Sequence, residues 1–147
     1  MISNCLKIKK NYIEIDEFDQ NKRQVFNYGH TFGHAIESLT NYNVPHGIAV
    51  SFGMDMANFI SVKKKYLSIN IRYEIRELLE KIWSNYDIKG MDVEKFAQAL
   101  SKDKKNVGNE LRLILCKGYG KVFKDAQKLD KEFKGWLTEY FDIELNH

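Results

Sequence analysis

The sequence predicts a mainly α-helical domain with one small β-hairpin, its chemistry-bearing residues gathered on the first two strongly patterned helices. Three observations lead there. Apolar residues recur at spacings of three and four through most of the chain. The run Leu111-Arg112-Leu113-Ile114-Leu115-Cys116 looks like a short strand and is followed by a glycine-rich turn. The sole proline is Pro45, and no repeat, low-complexity tract or Gly/Ser linker divides the 147 residues, so one domain spanning 1–147 is expected.

Taken in order, Val25, Phe26, Phe32, Ala35, Ile36 and Leu39 predict a helix from about Asp19 to Thr40, broken by Asn41-Tyr42-Asn43-Val44-Pro45. A second helix runs from near His46 to about Tyr66. Ile48, Ala49, Val50, Phe52, Met54, Met56, Phe59 and Ile60 make most of its circumference apolar, which predicts a central, buried helix. Alanine at Phe52 or Met56 should then cost roughly 2–5 kcal/mol. A third helix, with Asn70 as its N-cap, carries Ile71, Ile75, Leu78, Leu79 and Ile82 as a narrower stripe and is expected on the surface with that face inward. Asp92 to Leu100 predicts a short fourth helix. Leu111 to Cys116 and Lys121-Val122-Phe123 predict two strands around Gly118-Tyr119-Gly120, and Leu129, Phe133, Trp136, Leu137 and Tyr140 a closing amphipathic helix.

Charge and cysteine content narrow the function classes. A net charge of +3, with lysines scattered apart from Lys63 to Lys65 and Lys102 to Lys105, does not call for nucleic acid. Cys5 and Cys116 are too few for a disulfide framework or a thiolate metal site, and a reducing cytoplasm is expected. The most apolar stretch, Gly47 to Val62, is too short for a membrane span and contains Asp55.

Three of the four histidines fall within 17 residues: His30, His34 and His46. His30 and His34 are four apart and share a helical face, and His46 opens the next helix, from which it reaches back across a short loop. Two or three imidazoles converging on one point suit zinc or a related divalent ion. Gly29 and Gly33 flank His30, and each costs a helix roughly 1 kcal/mol relative to alanine, so close approach of a ligand or another backbone is the expected reason for them. Arg23, Asn27, His30 and His34, at steps of four, three and four, predict a polar stripe on one helix face. A solvated outer face is the bland alternative, but it would more often hold Lys, Glu and Gln. Arginine can grip a carboxylate or phosphate bidentately, and Asn and His can donate to remaining oxygens.

The string Arg23-Gln24-Val25-Phe26-Asn27-Tyr28-Gly29-His30-Thr31-Phe32-Gly33-His34-Ala35-Ile36-Glu37, followed by His46-Gly47-Ile48-Ala49-Val50 and Gly53-Met54, resembles the 3-dehydroquinate synthases. The resemblance extends upstream through Ile8 to Glu17 and downstream through Asp103-Lys104-Lys105 and Leu111 to Gly120, and corresponds to the family's C-terminal helical domain. It implies that His30 and His46 hold zinc, or cobalt in its place, together with a glutamate from elsewhere. It also implies that Arg23, Asn27, His34 and a lysine of Lys104-Lys105 bind the substrate's phosphate and carboxylate, with catalytic roles for Arg23, Asn27 and His34.

The implied activity is that of a phosphate lyase and cyclase of the shikimate pathway, which leads to the aromatic amino acids. It converts an open-chain seven-carbon sugar-acid phosphate to 3-dehydroquinate by transient oxidation with NAD, phosphate elimination, reduction and aldol closure. The NAD site and third zinc ligand belong to a nucleotide-binding domain not in this sequence, supplied by a longer chain or a partner chain, and no glycine-rich dinucleotide fingerprint occurs here. The isolated chain is therefore expected to be inactive, and a homodimer is left open. Ile48 stands where the family usually has glutamate. Another sugar-phosphate cyclase, a metal-dependent alcohol or polyol dehydrogenase half, and a non-catalytic association domain are the competing readings.

Overall fold

The computed structural model describes residues 2–16, 22–83, 85–102 and 110–146. Its elements are α1 (Ile2–Ile15), a 3₁₀ segment (Lys22–Asn27), α2 (His30–Leu39), α3 (His46–Lys63), α4 (Ile69–Trp83), α5 (Val93–Ser101), β1 (Glu110–Cys116), β2 (Val122–Lys128), α6 (Lys131–Asp142) and a short 3₁₀ turn (Glu144–Asn146). β1 and β2 form one antiparallel hairpin, Glu110 opposite Lys128 and Cys116 opposite Val122.

The apolar circumference of α3 does what its composition requires. The helix lies at the centre, packed against α2, α4, α6 and β1, and every residue from Ala49 to Gly53 and from Asp55 to Ser61 is buried. Phe52 stacks on Trp83 with ring centroids 4.3 Å apart, and Met56 is fully buried. Ser61 ties the hairpin to this helix, its hydroxyl donating to the Ala57 carbonyl and accepting from the Cys116 amide at 3.0 Å. A methionine cavity collapses more readily than an aromatic one. Met56→Ala is therefore expected to lower the unfolding free energy by about 2 kcal/mol and Phe52→Ala by about 3. The urea midpoints measure both, and losses below about 1 kcal/mol at both sites would contradict the central position of α3.

Local capping sets the outer elements. Asp92 and Asp130 accept hydrogen bonds from the Lys95 and Phe133 amides and start α5 and α6. β2 runs to Lys128, beyond the expected Phe123. Its polar residues lie on the outer strand of a two-stranded sheet, where only Gln127 is buried.

The structure differs from these expectations in four places. The helix expected over Asp19 to Thr40 is interrupted: residues 22–27 are 3₁₀, and Gly29, at φ 78°, adopts the left-handed conformation just before α2. Arg23 and Asn27 therefore do not share a regular helix with His30 and His34. Second, α1 was not anticipated. None of its residues is buried, so no core stripe reveals it. Third, α4 turns its apolar stripe outward. Its buried residues are Arg72, Arg76, Leu79 and Trp83, whereas Leu78 and Ile82 are exposed. The arginines are drawn inward by the buried Asp55 carboxylate. Arg72 Nη2 lies 3.2 Å from Asp55 Oδ2, Tyr140 donates to the same oxygen at 2.9 Å, and Glu144 pairs with Arg72 from the other side. Ser68, not Asn70, caps the helix, accepting from the Ile71 amide at 3.3 Å.

Candidate metal and substrate site

α2 and α3 meet through three glycines. A Cβ on Gly53 would stand 2.0 Å from the Gly29 carbonyl oxygen, one on Gly29 would stand 2.6 Å from the Val50 carbonyl oxygen, and one on Gly33 would stand 3.0 Å from Val50 Cα. The glycines flanking His30 are thus accounted for by backbone-to-backbone approach. The loop after α2 reverses through Asn41 and Tyr42, both at positive φ, and is pinned by the Tyr42 amide donating to the Glu37 carbonyl at 2.8 Å. These two features bring the start of α3 back over the first turns of α2.

Three imidazoles converge as a result. Ring centroids are 5.4 Å apart for His30 and His46, 5.8 Å for His30 and His34, and 5.8 Å for His34 and His46. Glu37, nearly buried one turn beyond His34, accepts from His46 Nδ1 at 3.1 Å. His30 Nδ1 faces the Tyr28 carbonyl oxygen at 3.4 Å. Carboxylate and carbonyl oxygens can only accept, so both partners favour the tautomer that carries the proton on Nδ1 and leaves Nε2 as a lone-pair donor. One nitrogen each of His34 and His46 and one oxygen of Glu37 also lie within 4.8 Å of one another. The donor set, imidazoles backed by a carboxylate, fits a divalent ion of the zinc or cobalt type.

Beside the histidines is a cleft of about 330 Å³ lined by Lys9, Arg23, Phe26, Asn27 and His30. Arg23 and Asn27 reach it despite the break at Gly29, because the 3₁₀ segment lies against α1, where Tyr12 packs on Phe26 at 4.9 Å. The Arg23 amide donates to Asp16 Oδ2 at 3.1 Å. Lys9 was not singled out from the sequence, since nothing in its spacing separates it from Lys7 and Lys10; the path of α1 past the 3₁₀ segment does. His34 opens instead into a second cleft, of about 430 Å³, between α2 and α5, where Lys95 and Lys102 also stand. Lys104 and Lys105 lie outside the described residues. Ile48 packs partly buried against the core, so the position usually held by glutamate is used for packing. Gly118 to Gly120 form the hairpin turn, closed by the Lys121 amide on the Gly118 carbonyl at 3.0 Å.

Helices assembled around a buried central helix, with three histidines together at the α2 and α3 junction and a cleft holding Lys9 and Arg23 beside them, make up a helical domain of the type found in sugar-phosphate cyclases. The family described as 3-dehydroquinate synthase C-terminal matches residues 1–106, and the chain belongs to that family. The 3-dehydroquinate synthase of Helicobacter pylori (strain P12) is 39% identical over 133 residues, covering 90% of this chain and 38% of that protein. The 3-dehydroquinate synthase of Clostridium perfringens (strain 13 / Type A) is 38% identical over 124 residues, covering 84% of this chain and 35% of that protein. Among solved structures, 2-deoxy-scyllo-inosose synthase complexed with carbaglucose-6-phosphate, NAD+ and Co2+ superposes with a TM-score of 0.78 at 26% identity, covering 95% of this chain and 40% of that one. The chain thus spans less than two fifths of the length of these curated relatives. Among the described residues, no helix is long and apolar enough to cross a membrane.

Proposed function

We propose that this chain is the metal- and substrate-binding half of a 3-dehydroquinate synthase-type cyclase, completed by a nucleotide-binding domain that carries NAD and a further metal ligand. The substrate class is a phosphorylated sugar acid. The observation that carries the reading is the convergence of His30 and His46, each with Nδ1 facing an acceptor, at the edge of a cleft that also holds Lys9, Arg23 and Asn27. A metal-ligating histidine characteristically donates its other ring N–H to a carboxylate or a backbone carbonyl, and His30 and His46 both have that partner. His30 and His46 are therefore assigned to the metal, which when bound supplies Lewis-acid polarisation of a substrate oxygen.

The chain's own residues have the remaining tasks. Arg23 holds one anionic group of the substrate through paired N–H donors, Lys9 adds a point charge in the same cleft, and Asn27 donates to a further oxygen. His34, exposed and facing the cleft with Lys95 and Lys102, would bind the substrate from that side. Holding both ends of an open chain favours the folded conformer that ring closure needs. Lys104 and Lys105 remain candidates for the same anionic groups. The 147 residues alone are expected to give no turnover.

The test is a titration with zinc, repeated with cobalt(II) so that its visible spectrum reports the coordination. His30→Ala and His46→Ala are expected to abolish binding, and Glu37→Gln to weaken it about 10- to 100-fold, the range for an outer-shell partner. His34→Ala is expected to retain the metal. A second reading has a specific observation in its favour, the 4.8 Å grouping of His34, Glu37 and His46. If His34→Ala and Glu37→Gln abolish binding while His30→Ala leaves it intact, that triple holds the metal and the assignment above is wrong.

A further inference from the structure

Asn58 is fully buried on the central helix α3. Its side-chain oxygen accepts from the Tyr28 hydroxyl, while its amide nitrogen has no partner among the described residues. A buried amide with incomplete hydrogen bonds costs free energy, and an apolar pair of similar shape at the two positions would be about as stable or more so. Stability therefore does not account for the Tyr28–Asn58 bond. What the bond does hold is the peptide beside a histidine of the candidate metal site.

Tyr28 reaches in two directions. Its ring, partly buried against the core, is tethered to α3, and its carbonyl oxygen is the acceptor that His30 Nδ1 faces at 3.4 Å. The Tyr28–Gly29 peptide that bears this carbonyl turns about ψ of Tyr28 and φ of Gly29, and Gly29, at φ 78°, has no Cβ to restrict the turn. The Tyr28 amide donates to the Val25 carbonyl at 3.2 Å, which fixes the preceding peptide and leaves the next one to the side-chain anchor. His46 is oriented differently, by the Glu37 carboxylate. A backbone carbonyl can be aimed only by holding its own residue. At 3.4 Å the contact is at the long end for a hydrogen bond, so a small rotation of the peptide breaks it.

We propose that Tyr28 is a positioning residue for the metal: its hydroxyl on Asn58 fixes the carbonyl that keeps the His30 proton on Nδ1 and turns the Nε2 lone pair to the ion. This role rests on the assignment of His30 to the metal made above. Tyr28 acts only through His30, as an outer partner of a ligand.

The 147-residue chain is titrated with zinc and with cobalt(II), and long-range proton–nitrogen correlation spectra of the metal-free chain, recorded above the pH range of imidazole protonation, report the His30 tautomer. The wild type is expected to carry the proton on Nδ1. Tyr28→Phe, which deletes a single oxygen, is expected to mix in the other tautomer, shift the cobalt visible bands and weaken metal binding about tenfold, the lower end for an outer-shell partner. It also leaves Asn58 without its donor, so its urea midpoint falls. Tyr28→Phe/Asn58→Leu, apolar at both positions, is expected to recover the midpoint but neither the affinity nor the tautomer. Recovery of affinity together with the midpoint would make the bond purely structural and overturn the role. So would wild-type affinity, cobalt spectrum and tautomer in Tyr28→Phe. If the double variant repacks and stays less stable, the tautomer in Tyr28→Phe decides alone. Retention of the metal by His30→Ala overturns both the assignment of His30 and the role of Tyr28; loss of the metal in His30→Ala with Tyr28→Phe unaffected overturns the role of Tyr28 only.

Discussion

Gly53→Ala is expected to destabilise the fold by more than about 4 kcal/mol, the exceptional range for a single substitution. Helix propensity alone gives the opposite sign, since alanine is better than glycine inside a helix by about 1 kcal/mol. The added methyl carbon would stand 2.0 Å from the Gly29 carbonyl oxygen and 2.9 Å from the Gly33 amide nitrogen. All of these are backbone atoms, so no rotamer change relieves the clash, and α2 and α3 must separate along the surface that positions His30, His34 and His46. Gly135 is the control. It lies inside α6 with nothing within 4 Å of its notional Cβ, so Gly135→Ala is expected to stabilise by up to about 1 kcal/mol. Urea denaturation of both variants checks the pair of signs. Equal midpoints for Gly53→Ala and the wild type would mean that the helices are not in backbone contact.

Arg72→Met is expected to cost about 3–5 kcal/mol, because it leaves a buried carboxylate without its principal counter-charge. Arg72 and Asp55 are both fully buried. Methionine replaces most of the apolar stem, so the loss measures the charge and not a cavity. Around them Tyr140 is a neutral donor: burial, then the Asp55 charge, push its phenol well above the ordinary range. Arg76, at 3.6 Å from Asp55, and Glu144 complete the group. The unfolding free energy at neutral pH is the measurement. A loss below about 1 kcal/mol would show that Arg76 alone neutralises Asp55. The group sets the rotation of α4 about its axis, with Arg72 and Arg76 turned inward.

The sequence alone makes legible the helical class, the central place of α3, the short α5, the hairpin around Gly118 to Gly120 and the closing α6, because each has a pattern whose period matches its local structure or a capping aspartate at its start. It also determined the family, through the long glycine- and histidine-bearing string from Arg23 to Gly53, and singled out the three histidines that converge. Matters that involve two elements at once can be read only from the folded chain. The helix break at Gly29 arises because the backbone there must clear α3. Glu37 is read from the sequence as the last residue of a motif, and becomes the acceptor for His46 Nδ1 only when the Asn41-Tyr42 reversal lays α3 over α2. Lys9 is one lysine among several until α1 passes beside the 3₁₀ segment. Apolar spacing alone misplaces the rotation of α4, because the buried Asp55 carboxylate draws the Arg72 and Arg76 guanidinium groups inward. Periodicity registers which residues are apolar along one helix, but it carries no record of a charge waiting on the next.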